Sequence, residues 1–400
     1  MTFFAQPMNT ILVEQLAPAR RSLRLAVVTE TYPPEVNGVA LTLSRFIAGL
    51  RERNHEIQLI RPRQADTELA AQGGGFDEVL TMGMPIPNYP KLRLGLPAKW
   101  ALIKQWKLRR PDLVHIVTEG PLGWSALHAA LKLKIPVCSD FRTNFHVYSM
   151  HYGIGWLKKP IVSYLRKFHN RTLLTMVPTE HMRTELAACG FRNLRVVARG
   201  VDTVQFNPAR RSETLRRQWG ATPDSLVVLH VGRLAPEKNL AALTAAFIAI
   251  RERQPNARLV LVGDGPDANT LRSQLPDAIF AGTRHGEDLA THYASGDLFL
   301  FPSLTETFGN VTLEAMASGL PVVAFDYAAA AQHIQHGTSG LLSTYGRSRD
   351  FTAMACALSS RHDDERERFR TMGENARSTA ESLDWKRVIQ EQEALLLSIA

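Results

Sequence analysis

Short apolar runs that end in polar, glycine-bearing loops recur along this chain, and they constrain its fold more than any other feature. LRLAVVT (23–29), HEIQLIRP (55–62), DLVHIVT (112–118), IPVCSDF (135–141) and LLTMVPT (173–179) punctuate the first half. SLVVLHVGR (225–233), ARLVLVGDGP (257–266), AIFAGT (278–283), LFLFPS (298–303) and LPVVAF (320–325) punctuate the second. Helical patterns lie between them, and strands alternating with helices imply a parallel sheet covered on both faces. A polar stretch, residues 199–224, separates the two series. The expected organisation is an arm (1–22), a first Rossmann-like α/β domain (23–203), a second (204–375), and a C-terminal helix (376–400) returning toward the first. Two such sheets place the loops at their C-terminal ends across a cleft, where ligands bind in open α/β folds.

Composition narrows the class. The chain has 400 residues, 45% hydrophobic and 21% charged, a globular balance sufficient for two domains. Its start carries basic residues after, not before, the apolar stretch, so no signal peptide is expected. No apolar run reaches the roughly 18 residues that span a bilayer. Cys138, Cys189 and Cys356 are scattered, which fits a reducing cytoplasm and gives neither a disulfide framework nor zinc spacing. The net charge of +9 is uneven: residues 1–200 hold 27 Lys and Arg against 14 Asp and Glu. A basic half suggests an anionic surface, and without a recognition module nucleic acid is not the expected partner.

Three loops carry candidate chemistry. In HVGRLAPEKNL, Arg233 and Lys238 flank a loop read as opening a helix near Pro236, a pattern suited to clamping a diphosphate. LVLVGDGPD has Gly263 and Gly265 but no third glycine at dinucleotide spacing, which argues against NAD. In SLTETFGNVTLEAMASGLPVVAF, a helix starting between Phe308 and Asn310 points the amides of Gly309, Asn310 and Val311 at the cleft. Glu306 precedes that helix within reach of sugar hydroxyls, and Glu314, one turn inside, can accept from a ribose diol.

Glu306 and Glu314, with Phe308-Gly309 between them and EAMASGLPVVA following, resemble the E-x7-E signature of retaining glycosyltransferases of family 4, which have the GT-B fold. Arg233 and Lys238 in GRLAPEK, Gly263-Asp264-Gly265, and Gly38 in PPEVNGVA fall where that family binds the donor's diphosphate and nucleotide. The segment from Phe141 through VPTEHM is most similar to sulfoquinovosyl- and glycosyl-diacylglycerol synthases and GDP-mannose-dependent α-mannosyltransferases. Relatives there carry a histidine facing the donor sugar; here Arg142, Asn144 and His146 share the region, and the sequence leaves open which touches the sugar. Glu306, Phe308 and Asn310 are expected to line the hexose site and the loop holding Arg284 to meet the base, with UDP-hexose, UDP-hexuronate and GDP-mannose all open.

The resemblance implies transfer with retention, by front-face attack assisted by the departing phosphate rather than through a covalent glycosyl-enzyme. Glu306, Arg233, Lys238 and His146 are the expected catalytic residues. With no Asp-x-Asp triplet, Arg233, Lys238 and the helix start are read as neutralising the leaving group without a metal or other cofactor. The expected acceptor is a membrane lipid such as diacylglycerol, met at the inner face of the cytoplasmic membrane. Lys99, Trp100, Lys104, Trp106, Lys107, Arg109 and Arg110, with Trp156, Lys158 and Lys159, form the expected contact with anionic lipid. Amphipathic helices packing those tryptophans into the core are the structural alternative. A soluble or polysaccharide-precursor acceptor is a second functional reading, and a GT-B nucleotide-sugar epimerase a third.

Overall fold

A computed structural model describes residues 21–35, 38–65, 67–86, 89–142, 158–359 and 363–400. Among the described residues of the first half there are ten strands: β1 (Arg24–Val28), β2 (Glu56–Pro62), β3 (Gln72–Gly73), β4 (Phe76–Thr81), β5 (Gly83–Ile86), β6 (Tyr89–Gly95), β7 (Leu113–Ile116), β8 (Val137–Asp140), β9 (Leu174–Val177) and β10 (Leu194–Val196). Eight of them form one sheet in the order β10-β9-β8-β7-β1-β2-β4-β3, while β5 and β6 pair as a separate hairpin. All neighbours in the large sheet are parallel except the short edge strand β3.

The second half contributes β11 (Val227–Val231), β12 (Arg258–Val262), β13 (Ile279–Gly282), β14 (Leu298–Phe301), β15 (Val322–Phe325) and β16 (Gly340–Ser343). They form an all-parallel sheet in the order β13-β12-β11-β14-β15-β16. Each sheet reverses direction once, between β1 and β7 in the first and between β11 and β14 in the second. Loops leaving the strand ends at such a point diverge and open a crevice.

Burial explains the apolar runs. Side chains alternate across a strand, so Val227, Leu229 and Val231 enter one core layer while Val228 enters the layer on the opposite face. Leu25 and Val27 are likewise divided from Ala26 and Val28. Both faces being covered, every residue of β11 is buried, His230 included.

The C-terminal region joins the two halves. The Asp363–Glu381 helix packs on the second domain, where Ala376 and Ala380 enter the core and Arg377 Nη1 donates to the Phe206 and Ala317 carbonyls at 2.7 and 2.5 Å. The Trp385–Ile399 helix then packs on the first. Phe46 meets Trp385 edge-on at 5.4 Å, Val388, Ile389 and Leu396 join that core, and His55 Nε2 lies 2.9 Å from Glu393 Oε1.

The basic stretch after β6 is one helix, Lys99–Leu108, and the expected lipid contact divides along it. Trp106 is only 1% exposed and its Nε1 donates to Gln58 Oε1 at 3.0 Å, so it is a core residue and not a lipid contact. Arg109 pairs with Asp77 and, at 3.1 Å, with Glu56; Arg110 donates to the Lys134 carbonyl at 2.9 Å. Both are engaged with the fold. Trp100, Lys104 and Lys107 do face solvent, and Trp100, 69% exposed, lies against the Lys132 and Lys99 ammonium groups at 4.4 and 5.4 Å. Lys159 is exposed at the start of the Lys158–His169 helix. The expected contacts at Trp156 and at the Lys158 side chain lie outside the described residues.

Candidate functional site

The second sheet's reversal point carries two loops that meet. After β11 the chain passes Gly232 into a single 3-10 turn, Pro236–Lys238, and Asn239, at φ 51°, redirects it into the Leu240–Arg253 helix. The helix therefore starts at Leu240, later than the Pro236 expected from sequence, and Lys238 stands on the turn before it. After β14 the chain runs through Glu306 to Gly309, whose φ of 97° is a left-handed value that glycine adopts without strain. The Asn310–Ala317 helix follows directly.

Lys238 and Glu306 are joined by an ion pair between side chains each 15% exposed. Ser303 Oγ donates to the same Glu306 oxygen at 2.8 Å, and the Lys238 ammonium lies 5.3 Å from the Phe301 ring centre. Thus the cation read as meeting a diphosphate and the carboxylate read as meeting a sugar hold each other here. Arg233, 47% exposed at its side chain, has Nη1 3.8 Å from Glu237 Oε1 on the same turn.

Gly263 and Gly265 serve this loop directly. A Cβ on Gly263, at φ 135°, would stand 1.9 Å from the Gly232 carbonyl oxygen, and one on Gly265 2.3 Å from that of Leu234. Gly232 N donates to the Val262 carbonyl and Leu234 N to that of Asp264, both at 3.0 Å. The glycines let two backbones touch, and that fixes the approach of Arg233 to the site.

Phe308 corrects the sequence reading: its ring is 1% exposed and packs edge-on with His333 at 5.9 Å, so its side chain belongs to the core and not to a hexose pocket. Apolar side chains next to a helix start turn inward, which leaves backbone and Asn310 to face the cleft. Val311 is partly buried against the same core. Glu314 is partly buried and accepts from Tyr293 Oη at 2.9 Å; burial pushes its carboxyl up to about 7, against the effect of that hydrogen bond. Arg284 lies in the loop after β13 and ties it down, with Nε donating to the Ala281 carbonyl at 2.8 Å and Nη1 to Asp288 at 3.1 Å.

From the first domain, Gly38 begins the Gly38–Glu52 helix and reaches this site: a Cβ there would lie 4.0 Å from Asn310 Nδ2. Arg142 Nε donates to Asp140 Oδ2 at 2.5 Å, and His115 Nε2 lies 3.1 Å from Asp140 Oδ1. Burial by itself would raise the Asp140 carboxyl, but Arg142 and His115 outweigh it and hold the group down at about 2. Arg142 is thereby committed to Asp140. Asn144 and His146 lie outside the described residues.

Two groups escaped sequence reasoning. Arg199, 5% exposed, donates from Nη1 to Asn310 Oδ1 at 3.2 Å and so joins the two domains at the helix start. His230, inside β11, donates from Nδ1 to the Leu300 carbonyl at 2.9 Å, and burial pushes its imidazole down to about 4. Among the described residues its buried Nε2 has no hydrogen-bond partner. An arginine beside a glycine in ARGVD was the only visible signal for the first; in the second, a polar residue inside an apolar strand marked the place.

Comparison with known proteins accords with this arrangement. The family described as Glycosyltransferase Family 4 matches residues 36–205, and that described as Glycosyl transferases group 1 matches residues 225–361. The chain is 34% identical to sulfoquinovosyl transferase SQD2 of Arabidopsis thaliana, over 91% of its own length and 71% of that protein's. It is 36% identical to a GDP-mannose-dependent alpha-mannosyltransferase of Mycobacterium tuberculosis over 81% and 84% of the two chains. Identity to the alpha-monoglucosyldiacylglycerol synthase of Streptococcus pneumoniae is 28%, over 76% and 71%. Among solved structures, Anabaena Alr3699/HepE in complex with UDP shares the fold, with a TM-score of 0.74 at 21% identity over 94% of this chain and all, 100%, of that one. This chain therefore belongs to glycosyltransferase family 4, has the GT-B fold, and is a glycosyltransferase of the kind that draws on a nucleotide-sugar donor.

Proposed function

We propose that this protein transfers a hexosyl group, with retention of anomeric configuration and without a metal, from a nucleotide sugar to a membrane lipid acceptor such as diacylglycerol. The observation that carries the reading is the meeting of Lys238, Glu306 and the Asn310 helix start at the reversal point of the second sheet. Donor binding exchanges partners: the diphosphate takes the Lys238 ammonium, with Arg233 beside it, and Glu306 is released to accept from the hexose hydroxyls. Charge then grows on the leaving phosphate against these two cations and the helix amides, a stabilisation that acts in the transition state. The departing phosphate assists deprotonation of the acceptor hydroxyl on the same face of the sugar.

The lipid acceptor is supported by the exposed Trp100 between two lysines, on the more basic half of the chain. An indole between cations suits the headgroup region of an anionic bilayer, at about 1 kcal/mol per well-placed cation. One relative's name, alpha-monoglucosyldiacylglycerol synthase, points the same way. No described helix is long and apolar enough to cross a membrane, so the proposed contact is peripheral, at the inner face of the cytoplasmic membrane. The donor is UDP- or GDP-linked: the sulfoquinovosyl and mannosyl relatives stand at 34% and 36% identity and do not choose between bases.

The test is transfer of labelled hexose from UDP-glucose, UDP-glucuronate and GDP-mannose to diacylglycerol in anionic vesicles, with EDTA present and the product's anomeric configuration read by NMR. An α-linked glycolipid from one donor is the expected result. Product formed only on a soluble sugar, an inverted linkage, or activity abolished by EDTA would each refute the corresponding part of the proposal.

A further inference from the structure

Arg199 is a buried cation whose surroundings do not account for it. It leaves the segment after β10 and ends 5% exposed, with one side-chain hydrogen bond among the described residues, to the neutral side chain of Asn310. Its guanidinium lies 5.6 Å from the Phe308 ring centre, and its buried Nε has no hydrogen-bond partner among the described residues. Among the described residues no carboxylate forms an ion pair with it. Asp140 is bound by Arg142 and His115, and Glu306 by Lys238 and Ser303. Burial pushes Arg199 down to about 9, the neighbouring Arg142 adds to this, and Asp140 and Glu306 oppose it. A full charge removed from water without an ionic partner destabilises a fold.

Two helix starts converge on the same point. The Gly38–Glu52 helix begins where a Cβ on Gly38 would be 3.7 Å from Arg199 Nη1, and the Asn310–Ala317 helix begins at the residue Arg199 touches. Neither helix has an acidic residue in its first turn. Helix starts carry partial positive charge, so both domains direct positive potential at one place that contains a buried arginine. Such a site is complete only with an anion in it.

We infer that Arg199, with these two helix starts, holds the donor's diphosphate from the first domain's side, opposite Arg233 and Lys238. The inference rests on the nucleotide-sugar reading above. The diphosphate then bridges the domains. Arg199 also positions Asn310, whose side-chain oxygen it holds.

The experiment measures UDP, GDP and UDP-glucuronate affinity by calorimetry on the full chain, and the melting temperature without ligand, for wild type, Arg199→Gln and Arg199→Lys. Arg199→Gln is expected to weaken the preferred diphosphate at least tenfold while the ligand-free melting temperature stays or rises, because an unpaired buried charge has gone. Arg199→Lys is expected to recover part of the affinity. Unchanged diphosphate affinity in Arg199→Gln would overturn the inference and leave the donor reading intact. A fall of several degrees in melting temperature, or failure of Arg199→Gln to fold, would identify a structural strut for Asn310 and overturn it as well. A loss confined to UDP-glucuronate, with UDP unaffected, would move the anion onto the sugar and refute the diphosphate assignment. Wild type binding neither UDP nor GDP would defeat the donor reading, and the inference with it.

Discussion

Replacing Lys238 by alanine tests the exchange of partners at the centre of the site. Without ligand, Lys238 pairs with Glu306, each side chain 15% exposed, and Ser303 donates to the same carboxylate oxygen at 2.8 Å. Breaking a fully buried pair costs about 3–5 kcal/mol. Partial exposure and the surviving Ser303 bond reduce this to about 1.5–3 kcal/mol of folding stability. For the donor, one charge-assisted hydrogen bond to the diphosphate is worth about 1.5–3 kcal/mol, or roughly 10- to 150-fold in affinity. Part of that gain is offset in the wild type, where Lys238 must first leave Glu306, so the expected weakening of UDP or GDP binding is about 10- to 30-fold. Glu306→Gln gives the opposite sign: without the competing carboxylate, the nucleoside diphosphate alone should bind more tightly, while transfer of hexose is lost. Calorimetry on both single variants and the double variant reads the coupling. Wild-type affinity in Lys238→Ala would refute the proposed contact, and an unchanged affinity in Glu306→Gln would refute the competition.

Further outcomes follow from particular positions. Gly263→Ala brings a Cβ to 1.9 Å from the Gly232 carbonyl at φ 135°, so denaturant unfolding should show a loss of about 2–5 kcal/mol, and donor affinity should fall although no charge has changed. Glu314 has a folded-state value raised to about 7 from an ordinary 4.5, so the stability linked to its protonated form is fully present below about pH 4.5 and lost as pH rises through 7. Glu314→Gln should accordingly stabilise the protein by about 2–3 kcal/mol near pH 8 and be nearly neutral near pH 4, read as the difference between two unfolding curves. Trp100→Ser should weaken binding to anionic vesicles several-fold at an unchanged melting temperature, whereas Trp106→Ser should cost about 3–5 kcal/mol of stability through the core. Equal effects of the two tryptophans would contradict the division of that helix.

What the sequence determined by itself was everything carried by local pattern. Apolar runs between helical stretches are read as buried parallel strands because both faces of such a sheet are covered, and those runs became β1, β2, β7 to β9 and β11 to β15, whereas β3 to β6, β10 and β16 matched no such run. The loop after β14 was legible for the same reason: a glycine before a helix, between two glutamates, is a local statement about where amides point. Depth was not local. Trp100 and Trp106 sit in one basic helix, yet one is 69% and the other 1% exposed, because only the packing partner of each helical face decides between lipid contact and core. Phe308 and Asn310 are two residues apart, yet one ring enters the core while the other side chain meets the opposite domain. The pairing of Lys238 with Glu306, and of Arg199 with Asn310, joins loops far apart in the chain. Burial and long-range electrostatics depend on which surfaces the tertiary fold brings together, and they decided which of these charges are committed to an ionic partner and which are not.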